Sequence, residues 1–137
     1  MVHKPGYTRK YAMFATRYGG MDLRFQQDGA WQDTPAGIAH YLEHKMFDTA
    51  DGNAMQEMAK NGAEPNAFTS NAMTAYYFDC TEHFDENLRQ LLSFVSMPYF
   101  TDESVAKEQG IIGQEIRMIE DNPDWQIYTR MLRAAWR

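Results

Sequence analysis

A single cysteine, Cys80, has no partner for an internal disulfide. That excludes the small scaffolds held by disulfide staples and fits a reducing cytoplasm. Cys80 lies in an apolar, strand-like run, so it reads as a buried, inert thiol rather than a nucleophile. No stretch approaches the roughly 20 apolar residues of a membrane helix. The N-terminus has no apolar run after its charges, which argues against a signal peptide. Basic residues are outnumbered, 13 Lys and Arg against 19 Asp and Glu for a net charge of −6. This leaves no basic surface for nucleic acid or for a membrane. Internal repeats and low-complexity segments are also missing. What remains is 137 residues, 44% hydrophobic, enough for one domain with a real core over residues 1–137. The ten methionines are scattered through the patterns as core filler.

Read in order, residues 7–18 are rich in β-branched and aromatic types and predict a strand ended by Gly19-Gly20. Residues 26–33, with Gly29 and two aspartates, read as a loop. Thr34-Pro35 then predicts a helix start, Thr as N-cap and Pro at the first helical position, with the helix running to about Phe47. Ile38, Tyr41 and Leu42 give it an apolar side to lay on a sheet. A short helix over 53–60 closes at Asn61-Gly62. Residues 64–69 and 74–81 read as two strands joined at Ser70-Asn71. Pro65 cannot donate to a ladder, so its strand belongs at a sheet edge. Phe84, Leu88, Leu91, Leu92 and Val95 follow helical spacing up to Pro98. Thr101 caps another helix, with Asp102 and Glu103 in its first turn, running to Glu120. Asn122-Pro123 stops it, and a last helical segment starts near Asp124. Mixed elements with hairpin-forming strands predict an α+β domain, a mainly antiparallel sheet covered by helices.

Residues 40–44 read His-Tyr-Leu-Glu-His. With about 3.6 residues per turn, His40 and His44 share one helix face. Each can offer an imidazole nitrogen to one ion, and Glu43 stands beside them. Two histidines, one more protein ligand and an open position make a catalytic zinc layout. A neighbouring carboxylate can then act as general base toward water. The order H-x-x-E-H inverts the commoner H-E-x-x-H. With four His and nine Glu in the chain, a shuffled sequence shows this pattern on the order of 1 time in 100. Alone it also fits an amphipathic helix with two solvated histidines, so it needs a third ligand.

The predicted helix over 102–120 has an unusual stripe: Val105, Glu108, Ile112, Glu115 and Ile119, stepping by three and four. Two carboxylates thus take positions assigned to the buried face, where they need a partner or a metal. Displacing the stripe lets Ile111, Ile116 and Met118 carry the burial and leaves both glutamates wet. On pattern alone that blander register has the better claim. Beside H-x-x-E-H the balance shifts. One acid can ligate a metal and the other can hydrogen-bond a ligand histidine.

Gly37-Ile38-Ala39-His40-Tyr41-Leu42-Glu43-His44-Lys45-Met46-Phe47, Asn66-Ala67-Phe68-Thr69-Ser70 and Glu108-Gln109-Gly110-Ile111-Ile112-Gly113-Gln114-Glu115-Ile116-Arg117 together resemble the pitrilysin/insulinase family of inverzincin metallopeptidases. The tail Asp121-Asn122-Pro123-Asp124-Trp125 is similar to a short bacterial branch of it. The resemblance runs from about residue 7 to 125, with motifs in the family's order and spacing. It implies a zinc metalloendopeptidase with Zn2+ held by His40, His44 and Glu115. Glu43 is then the general base, and Glu108 supports the site without binding the metal. Asn66, Ala67 and Phe68 match the edge strand that holds the substrate backbone by β-augmentation. Pro65 departs from the family, which usually has a small residue there.

Family members carry a longer version of this domain, paired with a homologous second half or partner chain that supplies oxyanion donors. Little precedes Tyr7 here beyond Met1-Val2-His3, and the chain ends inside a helical pattern at Arg137. The expectation is therefore a domain truncated at both ends, holding zinc but turning over peptides poorly or not at all, and prone to self-association. Two rivals stand beside it. A non-catalytic partner subunit, or an inactive truncated homologue, typically loses motif residues, and the key positions are intact here. A structural zinc site needs a fourth ligand, and His3 and His83 lie off the motif spacing, as surface residues do.

Overall fold

The computed structural model describes Val2 and residues 4–135. His3 and the final Arg137 fall outside the described residues. The chain divides into two compact units, residues 1–100 and 101–137.

The first unit is built on a three-stranded antiparallel sheet. Strand β1 (Lys10–Thr16) pairs with β7 (Thr74–Cys80), and β7 pairs with β6 (Ala63–Thr69), in the order β1-β7-β6. The central strand alternates as a half-covered sheet demands. Thr74, Tyr76, Phe78 and Cys80 point into the core and are all buried. The opposite face carries Tyr77, with Tyr11 at 5.7 Å and Phe68 at 6.3 Å between ring centroids. Strand β6 lies at an edge, as Pro65 requires.

The residues expected to form a loop instead make a hairpin, β2 (Arg24–Gln27) with β3 (Ala30–Asp33). Asp28-Gly29 is the reason: both residues have positive φ, 51° and 82°. A two-residue turn of that hand matches the twist of the flanking strands. Gly19 follows β1 where a Cβ would sit 2.5 Å from Met73 N and Ser70 O, so only glycine lets the chain cross the β6–β7 turn there.

Helix α1 (Ile38–Lys45) starts later than Thr34-Pro35 predicts. Its N-cap is Gly37 at φ 90°, with no side-chain cap. The Thr34 hydroxyl is used elsewhere, donating to Asp22 O at 3.3 Å. The helix also ends at Lys45, short of Phe47. Its fully buried residues are Ala39, Glu43 and Lys45, whereas Ile38, Tyr41 and Leu42 are only half-buried. A short pairing of β4 (Asp48–Thr49) with β5 (Gly52–Asn53) leads to α2 (Ala54–Lys60). Asn53 caps α2 by accepting from Met55 N at 3.0 Å, and Asn61-Gly62 closes it as expected, with Gly62 at φ 73°.

Helix α3 (Phe84–Ser96) buries Asn87, Leu91 and Phe94, while Leu92 is 47% exposed. The apolar spacing thus counts one residue too many, Leu92, and omits both Asn87 and Phe94. The Asn87 amide donates to His83 O at 3.0 Å and Asn61 O at 3.4 Å, joining the start of α3 to the end of α2. The core comprises Phe47, Met58, Tyr76, Phe78, Leu91 and Phe94, with smaller residues between. The rings of Phe47, Tyr76 and Phe94 form a triangle with centroids 5.1–5.6 Å apart. Cys80 is buried, and burial pushes its thiol above the ordinary range.

The second unit is helix α4 (Asp102–Glu120) followed by α5 (Pro123–Ala135). Thr101 caps α4 in a reciprocal box with Ser104, each side chain 3.1 Å from the other's backbone N–H. Asn122 accepts from Asp124 N at 3.0 Å and so caps α5. The less exposed stripe of α4 runs through Val105, Glu108, Ile112 and Glu115. Ile111, Ile116 and Met118 are exposed, so the bland register fails. Ile119, at 43% exposure, falls off the stripe.

Candidate metal centre

His40 and His44 stack edge-on along α1, with ring centroids 4.7 Å apart and planes at 77°. One turn of helix brings both imidazoles to the same place, and both are half-buried. Two nitrogen donors on one helix face, partly screened from water, suit a borderline-soft divalent metal such as zinc.

Glu43, between them in sequence, is only 7% exposed. A buried carboxylate needs a donor, and Thr69 supplies one. Its Oγ1 donates to Glu43 Oε2 at 2.5 Å. Thr69 belongs to β6, so one hydrogen bond ties the motif helix to the edge strand. Thr74 Oγ1, 3.4 Å from Thr69 Oγ1, donates to Tyr18 O at 2.8 Å. The Tyr76 hydroxyl is raised above its ordinary range, first by burial and then by the negative charge of Glu43.

The edge strand has a definite polarity. Ser70 N–H donates to Met73 O at 2.8 Å, which makes that a hydrogen-bonded pair. Antiparallel pairs alternate, so Thr69↔Thr74, Ala67↔Tyr76 and Pro65↔Phe78 are the non-bonded ones. The backbone groups of residues 65, 67 and 69 therefore face the outer edge. Consistently, the Ala67 N–H is met by Asn66 Oδ1 at 2.8 Å, not by β7. Pro65 thus removes an N–H that the ladder never uses. Asn66 is exposed, Ala67 half-buried, and Phe68 39% exposed.

Glu108 and Glu115 lie two turns apart on one stripe of α4, the first buried and the second half-buried. Two residues were not given roles by the sequence. Thr69 was legible in principle, because the alternation of β6 puts Ala63, Pro65, Ala67 and Thr69 on the helix-facing side. Lys45 carried no such signal: it has no solvent exposure, and its Nζ lies 2.6 Å from Asp48 Oδ2 and 5.6 Å from the centre of the Phe100 ring. His83 is exposed and sits at the start of α3, as a surface residue does. Among the described residues, no helix is long and apolar enough to cross a membrane.

Residues 27–137 match the family model described as Insulinase (Peptidase family M16). The uncharacterized zinc protease YmfH of Bacillus subtilis (strain 168) is 51% identical over 139 residues, spanning 100% of this chain and 32% of that protein. The insulin-degrading enzyme of Homo sapiens is 28% identical over 108 residues, covering 73% of this chain and 11% of that one. The crystal structure of an M16-like peptidase from Alicyclobacillus acidocaldarius superposes with a TM-score of 0.91 at 46% identity, over 96% of this chain and 31% of that chain. The structure of a protease from Helicobacter pylori matches at 20% identity with a TM-score of 0.73, covering 89% of this chain and 29% of that chain, and speaks for the fold alone. The chain spans between about a quarter and a third of the length of the first curated relatives it matches.

Proposed function

The chain belongs to the insulinase family of peptidases, family M16, and on that premise we propose that it carries the metal ligands and the general base of a zinc-dependent endopeptidase acting on oligopeptides or small proteins. Zinc is the metal of the family, and relatives carry it in their names. The observation that carries the reading is the pairing of His40 and His44, 4.7 Å apart, with Glu43 buried beside them and held by Thr69.

His40 and His44 serve as ligands through their neutral imidazoles, and Glu115 of α4 as the third. Glu108, two turns earlier, supports a ligand without binding the metal. Zinc, when bound, supplies Lewis acidity toward the scissile carbonyl and a nucleophile at neutral pH. Glu43 accepts the proton of the attacking water on its carboxylate and returns it to the leaving amine. The substrate lies along the outer edge of β6 as an added strand. Ala67 then exchanges its bond to Asn66 for one to the peptide, and Phe68 offers apolar surface. A homologous second half or partner chain encloses the peptide and donates to the oxyanion. The open edges of the sheet give self-association a route in its absence. A cytoplasmic setting accords with a single, buried cysteine.

The test is metal analysis of the purified chain together with an internally quenched peptide assay, with and without a longer homologous partner. The expected result is one zinc per chain and hydrolysis that disappears in Glu43→Gln. Absence of stoichiometric zinc, or hydrolysis that survives Glu43→Gln, would overturn the reading.

A further inference from the structure

We propose that Thr69 is the positioning residue for Glu43, fixing the carboxylate of the base from the same strand that presents the substrate edge; this rests on the peptidase reading above. A threonine hydroxyl has one proton to give. The neighbouring Thr74 spends its own on Tyr18 O, at 2.8 Å. The Thr69 proton goes to Glu43 Oε2 at 2.5 Å, well inside its 3.4 Å separation from Thr74. Oε2 is thereby engaged, and the carboxylate plane is set.

Position 69 also has a backbone role. By the alternation of the ladder, its N–H and C=O face the outer edge of β6, while its side chain faces α1. One residue therefore touches both the line of an added peptide and the base. A shift of the strand moves peptide and carboxylate together, which keeps the reacting groups in register. A threonine that merely satisfied a buried carboxylate would show no such linkage to turnover.

The experiment uses the zinc-loaded chain with its glutamates labelled at the carboxyl carbon. The Glu43 resonance is assigned by its loss in Glu43→Gln. Thr69→Val removes the donor at similar volume and keeps a strand-favouring residue; Thr69→Ser keeps the donor. The expected result is a shifted or exchange-broadened Glu43 signal in Thr69→Val, a native signal in Thr69→Ser, and unchanged zinc content in both. In the quenched-peptide assay, kcat should fall roughly 10²-fold in Thr69→Val with KM within a few-fold, and Thr69→Ser should restore it. If Thr69→Val does not fold, Thr69→Ala takes its place in both readouts. An unmoved Glu43 signal in the donor-less variant, or a serine variant as perturbed as the valine, would overturn the proposal. The assay is run with the longer homologous partner present; turnover absent from the parent chain even then would count against the peptidase reading instead, and the carboxyl resonance would still decide the role of Thr69.

Discussion

Lys45 Nζ, with no solvent exposure, lies 2.6 Å from Asp48 Oδ2, which joins the last turn of the motif helix to β4. The two ends are unequal, since the Asp48 side chain keeps 32% of its exposure. Replacing Asp48 therefore takes one carboxylate from a charge held in the interior. Asp48→Ala should destabilise by about 2 kcal/mol in urea melts, the loss of one hydrogen bond to a charged group. An unchanged midpoint would mean that Lys45 draws little from Asp48.

Metal retention separates the roles of the acids. His40→Ala and Glu115→Gln should strip most of the zinc, while Glu43→Gln should keep it and abolish turnover. Glu108→Gln should weaken zinc binding or activity by roughly 10–100-fold. Titration with a chromophoric chelator measures each. Zinc lost from Glu43→Gln as fully as from His40→Ala would show that the assignment of roles is wrong.

Pro65→Ala restores one N–H on the outer edge of β6 without touching the ladder. A peptide added along that edge gains one donor, worth about 1 kcal/mol net. KM should fall several-fold while kcat and thermal stability stay close to the parent's. The same variant should self-associate more readily in sedimentation, because an edge proline blunts strand pairing.

Alkaline stability reports Tyr76. Its folded-state pKa is raised by burial and then by Glu43, while an unfolded tyrosine ionises near ~10. Below that pH both states hold the proton. Above it the unfolded chain releases the proton first, so stability falls as pH rises past the unfolded value toward the folded one. Urea midpoints taken from pH 9 to 11.5 should decline less steeply in Tyr76→Phe than in the parent. Parallel slopes would show that Tyr76 does not couple to unfolding there.

Local chemistry explains what could be read without coordinates. The cap at Thr101, the stop at Asn61-Gly62 and the edge position of β6 each follow from one or two residues whose backbone demands are strict. The H-x-x-E-H spacing is equally local, because i and i+4 meet on any helix. The start of α1 was missed because Thr34 found a tertiary partner in Asp22 O, which outweighs a helix cap it could have made. The β2–β3 hairpin was legible in Asp28-Gly29 and was obscured by the polar residues around it.

Sequence by itself determined the α+β class from the mixture of its elements, and the pairing of His40 with His44 and the acidic stripe of α4 from spacing along one helix. Only the tertiary structure decided that Glu43 is buried and bonded to Thr69, 26 residues away, that Asn87 and Lys45 lie inside, and that Leu92 lies outside. Those outcomes depend on which surfaces meet when helices cover a sheet. Burial of a polar group depends on whether a distant donor arrives to satisfy it, and no local pattern carries that information.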